Sequence, residues 1–342
     1  MLSPSNYLTL YSNVRSKEIE KSDTKTEEIK LAIKNIEKVY KPNSKFWVEK
    51  FDQKANYDDP AYRCAYLFKY ASLHTFLVQD IFTRVLIECS AVMNPIFWSH
   101  NNCVNICSLG GGPGIDAIGI ISALHRRFGL VCCSTKILEL MPGWKDTFDS
   151  ILGEFRNNHY GLSGNLTPQY FQFSYVEADL LGKMDSVVKK TISSANLITM
   201  VKFLSAVTCV DTAQMIRNIF KSMRPGAVVF IIDNAAGGYS ELVSEIAKEC
   251  TLRPIFGPLQ YLQYTNAQFN VEDYNSRSCS STQMTVHLLM KPYLTEWNSS
   301  ITGMNFPASI PVSPLCWRPP LRRPPYWPPF IPRPPPHFFT DV

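Results

Sequence analysis

The chain has 342 residues, 45% hydrophobic and 12% aromatic, enough for one large α/β domain with additions or for two small domains. Its formal net charge of +5 is uneven: from Trp297 onward four arginines face one acid, Asp341, a net +3 that leaves only +2 for residues 1–296. Bulk charge in the foldable part therefore lends nucleic-acid binding only weak support.

Ten cysteines are scattered with no CxxC spacing, and the adjacent pair Cys132 and Cys133 lies in an apolar run, as buried thiols do. This pattern fits a reducing, intracellular compartment, cytoplasmic or nuclear. The first residues lack a charged stretch leading into an apolar core, so no secretory signal is expected. The longest apolar stretch, 103–124, is interrupted by glycines and Asp116 and is not read as a membrane span. His74, His100 and His125 have no ligand-like spacing, and no metal site is expected.

In chain order, residues 16–45 are dense in Lys and Glu, with Ile29, Ile33, Ile36 and Tyr40 forming one helical stripe above a solvated face. A longer helix is predicted over 57–89, opened by Asp59 as N-cap and Pro60 at the first helical position. Tyr62, Tyr66 and Tyr70 recur every four residues along it, near Lys69 and His74. The plain reading is a helix packed on the main domain, and the sharper one a lid whose tyrosines line a cleft.

From about residue 103 strands and helices alternate. Strands are predicted at 105–109, 132–140, 172–181, 195–203 and 224–234, with helices at 115–128, 141–157, 182–193, 210–223 and 240–250 between and after them. Two more strand-like runs, 253–265 and 283–292, follow with only a polar, mobile loop at 265–281 between them, so they pair antiparallel and close the sheet. The fold class is α/β: a three-layer sandwich whose mostly parallel seven-stranded sheet ends in an antiparallel strand pair. A helical extension or lid over 1–99 precedes the main domain at 100–295. The tail at 296–342 is proline-rich, of polyproline character and expected to be disordered. Arg322, Pro325 and Pro328 in it match the RxxPxxP spacing of SH3-type ligands, a spacing that proline-rich tracts often meet by chance.

The segment "SLGGGPGID" joins the first strand of this alternation to its helix. Gly110, Gly112 and Gly114 allow a sharp turn and let main-chain N–H groups approach a ligand closely. This strand, GxGxG and helix resembles the first motif of the class I S-adenosylmethionine-dependent methyltransferases, and the resemblance covers roughly residues 100–292. It implies a donor site at Ser108, Gly110, Gly111, Gly112 and Gly114, with S-adenosyl-L-methionine as cofactor. Glu139, ending the second strand, is placed to accept from the ribose hydroxyls, and Asp179, after the third, to meet the adenine amino group. The fourth-strand segment "TMVKF" offers Thr199, Met200 and Lys202 towards donor and acceptor, Thr199 and Lys202 being the weak catalytic candidates. Trp144 either walls the adenine pocket or packs its helix on the sheet.

The chain departs from the family in two ways. Ser108 stands where an acid often faces the donor's amino group, and Asp116, inside the following helix, either serves that group instead or complements the helix dipole. The fourth-strand segment also lacks the Asn/Asp-Pro-Pro-aromatic signature of many amino-methylating enzymes. A catalytically degenerate scaffold and a nicotinamide-dependent dehydrogenase, with Gly112, Gly114 and Ala117 as GxGxxA, are the alternatives. As acceptor, class frequency ranks RNA first, protein second and a small metabolite third.

Overall fold

The computed structural model describes residues 2–39, 55–98, 103–156, 160 and 170–293. The proline-rich tail, its SH3-type spacing, Tyr40 and His100 lie outside the described residues.

Five parallel strands form the body of the sheet: β1 (Cys103–Leu109), β2 (Cys132–Glu139), β3 (Phe171–Glu177), β4 (Leu197–Val201) and β5 (Val228–Asn234). Their order is β3-β2-β1-β4-β5. β6 (Arg253–Thr265) and β9 (Ser281–Met290) complete it, with β9 inserted antiparallel between β5 and β6. The fold class expected above is the one observed. All five residues of β4 are buried, as a strand covered on both faces requires. Its alternation sorts them: Leu197 and Val201 join one core cluster, Ile198 and Met200 the other. Helices α6 (Ile115–Phe128) and α7 (Trp144–Arg156) cover the first face. Helices α8 (Ser186–Ser194), α9 (Thr212–Ser222) and α10 (Tyr239–Glu249) cover the second.

The chain winds outward from β1 to β3 and then returns to the other side of β1. The loops after β1 and β4 therefore diverge and leave a crevice at the carboxyl ends of the strands, where open α/β sheets bind ligands.

Five N-terminal helices pack beside this crevice: α1 (Pro4–Ser22), α2 (Thr26–Val39), α3 (Pro60–Tyr66), α4 (Ser72–Glu88) and α5 (Ser90–Trp98). The predicted stripe is real, with Ile29, Ile33 and Ile36 buried on α2. The helix before it was not expected. Ser3 caps α1 in a reciprocal box with Asn6, and the chain turns out of it through Asp23 at φ 52°. The long helix predicted over 57–89 begins as expected, Asp59 accepting Ala61 N at 2.8 Å. It is divided by a π-helical turn at Leu67–Ala71. Within that turn the Lys69 carbonyl accepts the Cys279 N–H at 2.7 Å, so a contact with the far end of the chain accompanies the widened turn. The loop at 265–281 is likewise more structured than predicted. It holds a 3₁₀ turn at Ala267–Phe269 and a two-stranded hairpin, β7 (Glu272–Asp273) with β8 (Ser276–Arg277).

A buried ion pair ties α3 to α1 within the helical layer. Arg63 Nε donates to Glu18 Oε1 at 2.8 Å, and its Nη1 donates to the carbonyls of Tyr57 (2.9 Å) and Asp58 (2.8 Å). The Asp58 carboxylate in turn accepts the Gly143 N–H at 2.9 Å, at the entrance to α7.

Candidate active site

The three spaced glycines after β1 all take left-handed φ, +60° at Gly110, +50° at Gly112 and +73° at Gly114. They are not equivalent. A Cβ on Gly110 would stand 2.1 Å from the Phe203 ring, and one on Gly114 2.3 Å from Phe148. Packing demands glycine at both. At Gly112 the nearest atoms are those of the Trp144 indole, 3.7 Å away, and the backbone faces a cavity. Tyr175 holds this turn from behind, its hydroxyl donating to the Gly112 carbonyl at 3.1 Å.

The cavity has a volume of about 380 Å³ and lies at the strand ends. Asp116 enters it from the first turn of α6 and is 2% exposed. Its Oδ2 accepts the hydroxyls of Ser108 (2.6 Å) and Thr199, and its Oδ1 accepts the Ala117 N–H at 2.9 Å. Burial raises the Asp116 pKa above the ordinary carboxylate value, and the two hydroxyls oppose that rise. Glu139 ends β2 beside it. Its Oε2 accepts the Gly112 N–H at 3.0 Å, and its Oε1 accepts those of Leu140 (2.9 Å) and Met141 (3.2 Å). Burial raises its pKa as well. Asp179, after β3, is an exposed lining residue whose Oδ1 accepts Leu181 N at 3.0 Å.

At the end of β4, Lys202 takes φ +55°, a conformation that strains a residue bearing a Cβ. Its ammonium donates to Asn234 Oδ1 at 2.8 Å and Thr282 Oγ1 at 3.1 Å. Burial lowers its pKa, and Asp233 behind it works in the other direction.

The N-terminal helices supply the opposite wall. Tyr66, Tyr70 and His74 line the cavity in a row, whereas Tyr62, the first of the predicted tyrosines, is not a lining residue and accepts Asn35 Nδ2 at 2.9 Å. Tyr70 and His74 stack with ring centroids 5.5 Å apart and planes at 16°. His74 is 6% exposed, its Nδ1 has no hydrogen-bond partner, and burial lowers its pKa to about 3. Trp144 is a lining residue with its ring 4.8 Å from that of Tyr57. Lys69 Nζ donates to Ser276 Oγ at 3.1 Å, and Arg15 pairs with Asp273 at 3.2 Å, so the helical layer and the β7–β8 hairpin meet.

Of the residues singled out from sequence, Gly110, Gly111, Gly112, Asp116, Glu139, Asp179 and Lys202 line this one cavity. Gly114 caps α6. Ser108, Thr199 and Met200 are fully buried and are not lining residues. Ser108 and Thr199 support the Asp116 carboxylate from behind, and Met200 belongs to the core on the far face of the sheet. Asn234, Cys279 and Thr282 are lining residues that the sequence reading did not single out. Asn234, ending the fifth strand, could have been found from that position. Cys279 lies inside the predicted loop and Thr282 just beyond it, with no local signal.

Among the described residues no helix is long and apolar enough to cross a membrane, and no group of three or more His, Cys, Asp or Glu side chains could hold a metal ion. The described cysteines are free.

No protein-family model and no curated protein matches the chain. Solved structures do align with it. Precorrin-6y C5,15-methyltransferase from Geobacter metallireducens is 8% identical over 59% of this chain and 88% of its own, with a TM-score of 0.37. Magnesium protoporphyrin IX methyltransferase from Synechocystis, with bound SAM, is 7% identical over 65% of this chain and 84% of its own, also at 0.37. The cyclase SpnF is 12% identical over 60% of this chain and 80% of its own, at 0.34. These likenesses are too remote to bear on the activity, which rests on the cavity's own residues.

Proposed function

We propose that the chain binds S-adenosyl-L-methionine in this cavity and transfers its methyl group to an acceptor. The observation that carries the reading is the convergence of the bare Gly112 backbone, Asp116, Glu139 and Asp179 on one cavity at the sheet's switch point.

The residues fit such a donor. Asp116 offers a carboxylate to an ammonium group, the role left open by Ser108. Glu139 has both oxygens fixed by three backbone N–H groups and keeps one lone pair on Oε2 for a ribose hydroxyl. Asp179 suits an exocyclic amine, and the Trp144 indole a purine face. When bound, the donor supplies a methyl group already activated on a sulfonium. The chain's part is to orient the reactants, with the helical wall excluding water. Asp179 after β3 and the antiparallel β9–β6 pair favour this donor over a nicotinamide. Thr199 is a positioning residue in this reading, because its hydroxyl is spent on Asp116.

The lining also supports a change in the order of acceptors. The cavity is walled on one side by Tyr66, Tyr70 and His74 of the N-terminal helices, and Lys202 is the single lysine or arginine among its described lining residues. A small molecule fits such a space better than a nucleic-acid strand, which calls for a basic track along the surface.

Titration of the full chain with S-adenosylmethionine and S-adenosylhomocysteine, followed by melting temperature and calorimetry, tests the reading. Both ligands should raise the melting point by binding the native state. Saturating concentrations that leave it unmoved would refute the donor assignment.

A further inference from the structure

We propose that the lobe of the cavity between Lys202 and the Tyr70–His74 stack is an anion site for the methyl acceptor, and that the acceptor is a small carboxylic acid with a flat apolar body. The inference rests on the reading above for the methyl group, but the anion site stands on its own observations.

The first observation is a half-buried cation with no counter-ion in direct contact. The Lys202 ammonium has two hydrogen bonds, both to neutral oxygens, on Asn234 and Thr282. An ammonium carries three donors, so one remains for a ligand. Asp233 lies behind it, but its oxygens are taken by the backbone N–H groups of Leu204, Ser205 and Asn234. No salt bridge joins Asp233 to Lys202 among the described residues. Buried charges are ordinarily paired, and here the free side of the charge opens on a cavity.

The second observation is where that charge is held. Asn234 ends β5 and Thr282 begins β9, two and three strands from β1 in the sheet order. At about 4.8 Å per strand this draws the ammonium roughly 10 Å or more from the glycine turn, away from Asp116 and Glu139. The left-handed backbone at Lys202 is strained, and strain of that kind persists where a side chain must be aimed. The cation therefore serves the acceptor lobe rather than the donor's own carboxylate.

The third observation concerns proton transfer. His74 is the imidazole of the lobe, and burial keeps it neutral with a pKa near 3, with the Lys202 charge adding to the effect. Such a group is a poor base for an alcohol, phenol or amine, whose protons are held far more tightly. An acceptor that arrives ionised needs none. One oxygen lone pair of its carboxylate forms the O–CH₃ bond as the C–S bond breaks, the bonding pair stays on sulfur, and no proton moves. The products are a methyl ester and a neutral thioether. The Tyr70–His74 stack offers the flat wall against which a planar body packs.

The test is calorimetry on the full chain with benzoate as the probe, benzamide as the neutral control and S-adenosylhomocysteine titrated separately. Benzoate is expected to bind roughly tenfold or more tighter than benzamide, and Lys202→Met to abolish that preference. The same variant should keep its affinity for S-adenosylhomocysteine within about twofold. Equal binding of benzoate and benzamide would overturn the proposal, and that comparison needs no variant to fold. A parallel loss of S-adenosylhomocysteine affinity in Lys202→Met would also overturn it, by returning the lysine to the donor's carboxylate. If S-adenosylhomocysteine fails to bind the unaltered chain while benzoate binds through Lys202, the anion site stands and the donor reading falls.

Discussion

The Ser108 hydroxyl donates to Asp116 Oδ2 at 2.6 Å, across the whole glycine turn that separates the two residues in sequence. Ser108 occupies the position where the resemblance leads one to expect an acid, and the fold brings a carboxylate to that place from the next helix. Thr199, in the middle of β4, donates to the same oxygen, so three elements fix the orientation of one side chain. Asp116→Asn keeps the shape and removes the charge. Hydrogen bonds to charged groups contribute about 1.5–3 kcal/mol, so donor affinity should fall roughly tenfold to a hundredfold. Ser108→Ala should cost much less, since Thr199 and Ala117 still hold the carboxylate. Calorimetric titration of both variants with S-adenosylhomocysteine checks the order, and equal losses would put the binding role on the serine.

The same substitution has a pH signature in the ligand-free chain. Burial raises the folded-state pKa of Asp116 above its unfolded value of 3.8. A raised carboxyl favours folding fully below the unfolded pKa, and that contribution is lost as pH rises through the folded pKa. Asp116→Asn should therefore gain in melting temperature relative to the unaltered chain as pH climbs from about 4 to 7. A difference that stays constant across that window would mean the carboxylate carries no burial penalty.

Gly110 and Gly112 should differ widely in how much the smallest side chain destabilises them. Alanine at 112 has room, with the nearest atoms 3.7 Å away, and suffers only its φ of +50°. That strain costs about 1–2 kcal/mol. Alanine at 110 meets the same strain and in addition drives a methyl 2.1 Å from the Phe203 ring, which is buried. Gly112→Ala should fold with a modestly lower melting point, and Gly112→Val should fold and lose more than about tenfold in donor affinity. Gly110→Ala should be far less stable than either. Circular dichroism melts of the three variants decide this, and a Gly110→Ala chain as stable as Gly112→Ala would refute the packing account.

What could be read in advance followed from how local each cause is. Helix α6 was predicted at its observed bounds because its glycine cap, apolar period and closing Gly129 lie within twenty residues of sequence. Strand β6 was also predicted at its bounds, as an apolar run between Thr251 and the polar loop. Helix α1 was legible but overlooked: Ser3, Pro4 and Asn6 form a capping signal, and Tyr7, Leu10, Tyr11 and Val14 repeat as an apolar face. The π-helical turn was not legible, since the partner of the Lys69 carbonyl is Cys279, two hundred residues away. The left-handed backbone of Lys202 was equally hidden. Nothing in "TMVKF" marks it, and it depends on Asn234 and Thr282 for its side-chain partners.

Glu139 carries two duties that substitution can separate. Its carboxylate accepts three backbone N–H groups and, in the proposed function, a ribose hydroxyl on its remaining lone pair. Glu139→Ala strands all three donors near the cavity floor, and each unsatisfied buried group costs about 1–3 kcal/mol. Glu139→Gln keeps one acceptor oxygen and most of the shape. Glutamine should fold close to the unaltered chain and lose about tenfold in S-adenosylhomocysteine affinity, while alanine should lose fold stability as well. Melting temperature read beside affinity separates the two, and a glutamine variant that binds normally would remove Glu139 from the donor site.

The Arg63–Glu18 pair tests whether α1 and α3 are held together by charge or by shape. Arg63 is 7% exposed and Glu18 5%, and the arginine also donates to the Tyr57 and Asp58 carbonyls leading to the cavity wall. Arg63→Met leaves a buried carboxylate with Thr147 Oγ1, 3.4 Å away, as its remaining neighbour. Breaking a buried pair from one side costs about 3–5 kcal/mol. Replacing both residues removes the stranded charge, so Arg63→Met with Glu18→Leu should recover much of that loss. Stability measured by denaturant over the double-mutant cycle gives the coupling directly. Donor affinity should track a different quantity. Trp144 packs on Tyr57, whose carbonyl Arg63 holds, so both arginine-lacking variants should bind more weakly than the unaltered chain even where stability returns. A double variant that regains stability and binds like the unaltered chain would show that the ion pair anchors the helices without shaping the cavity.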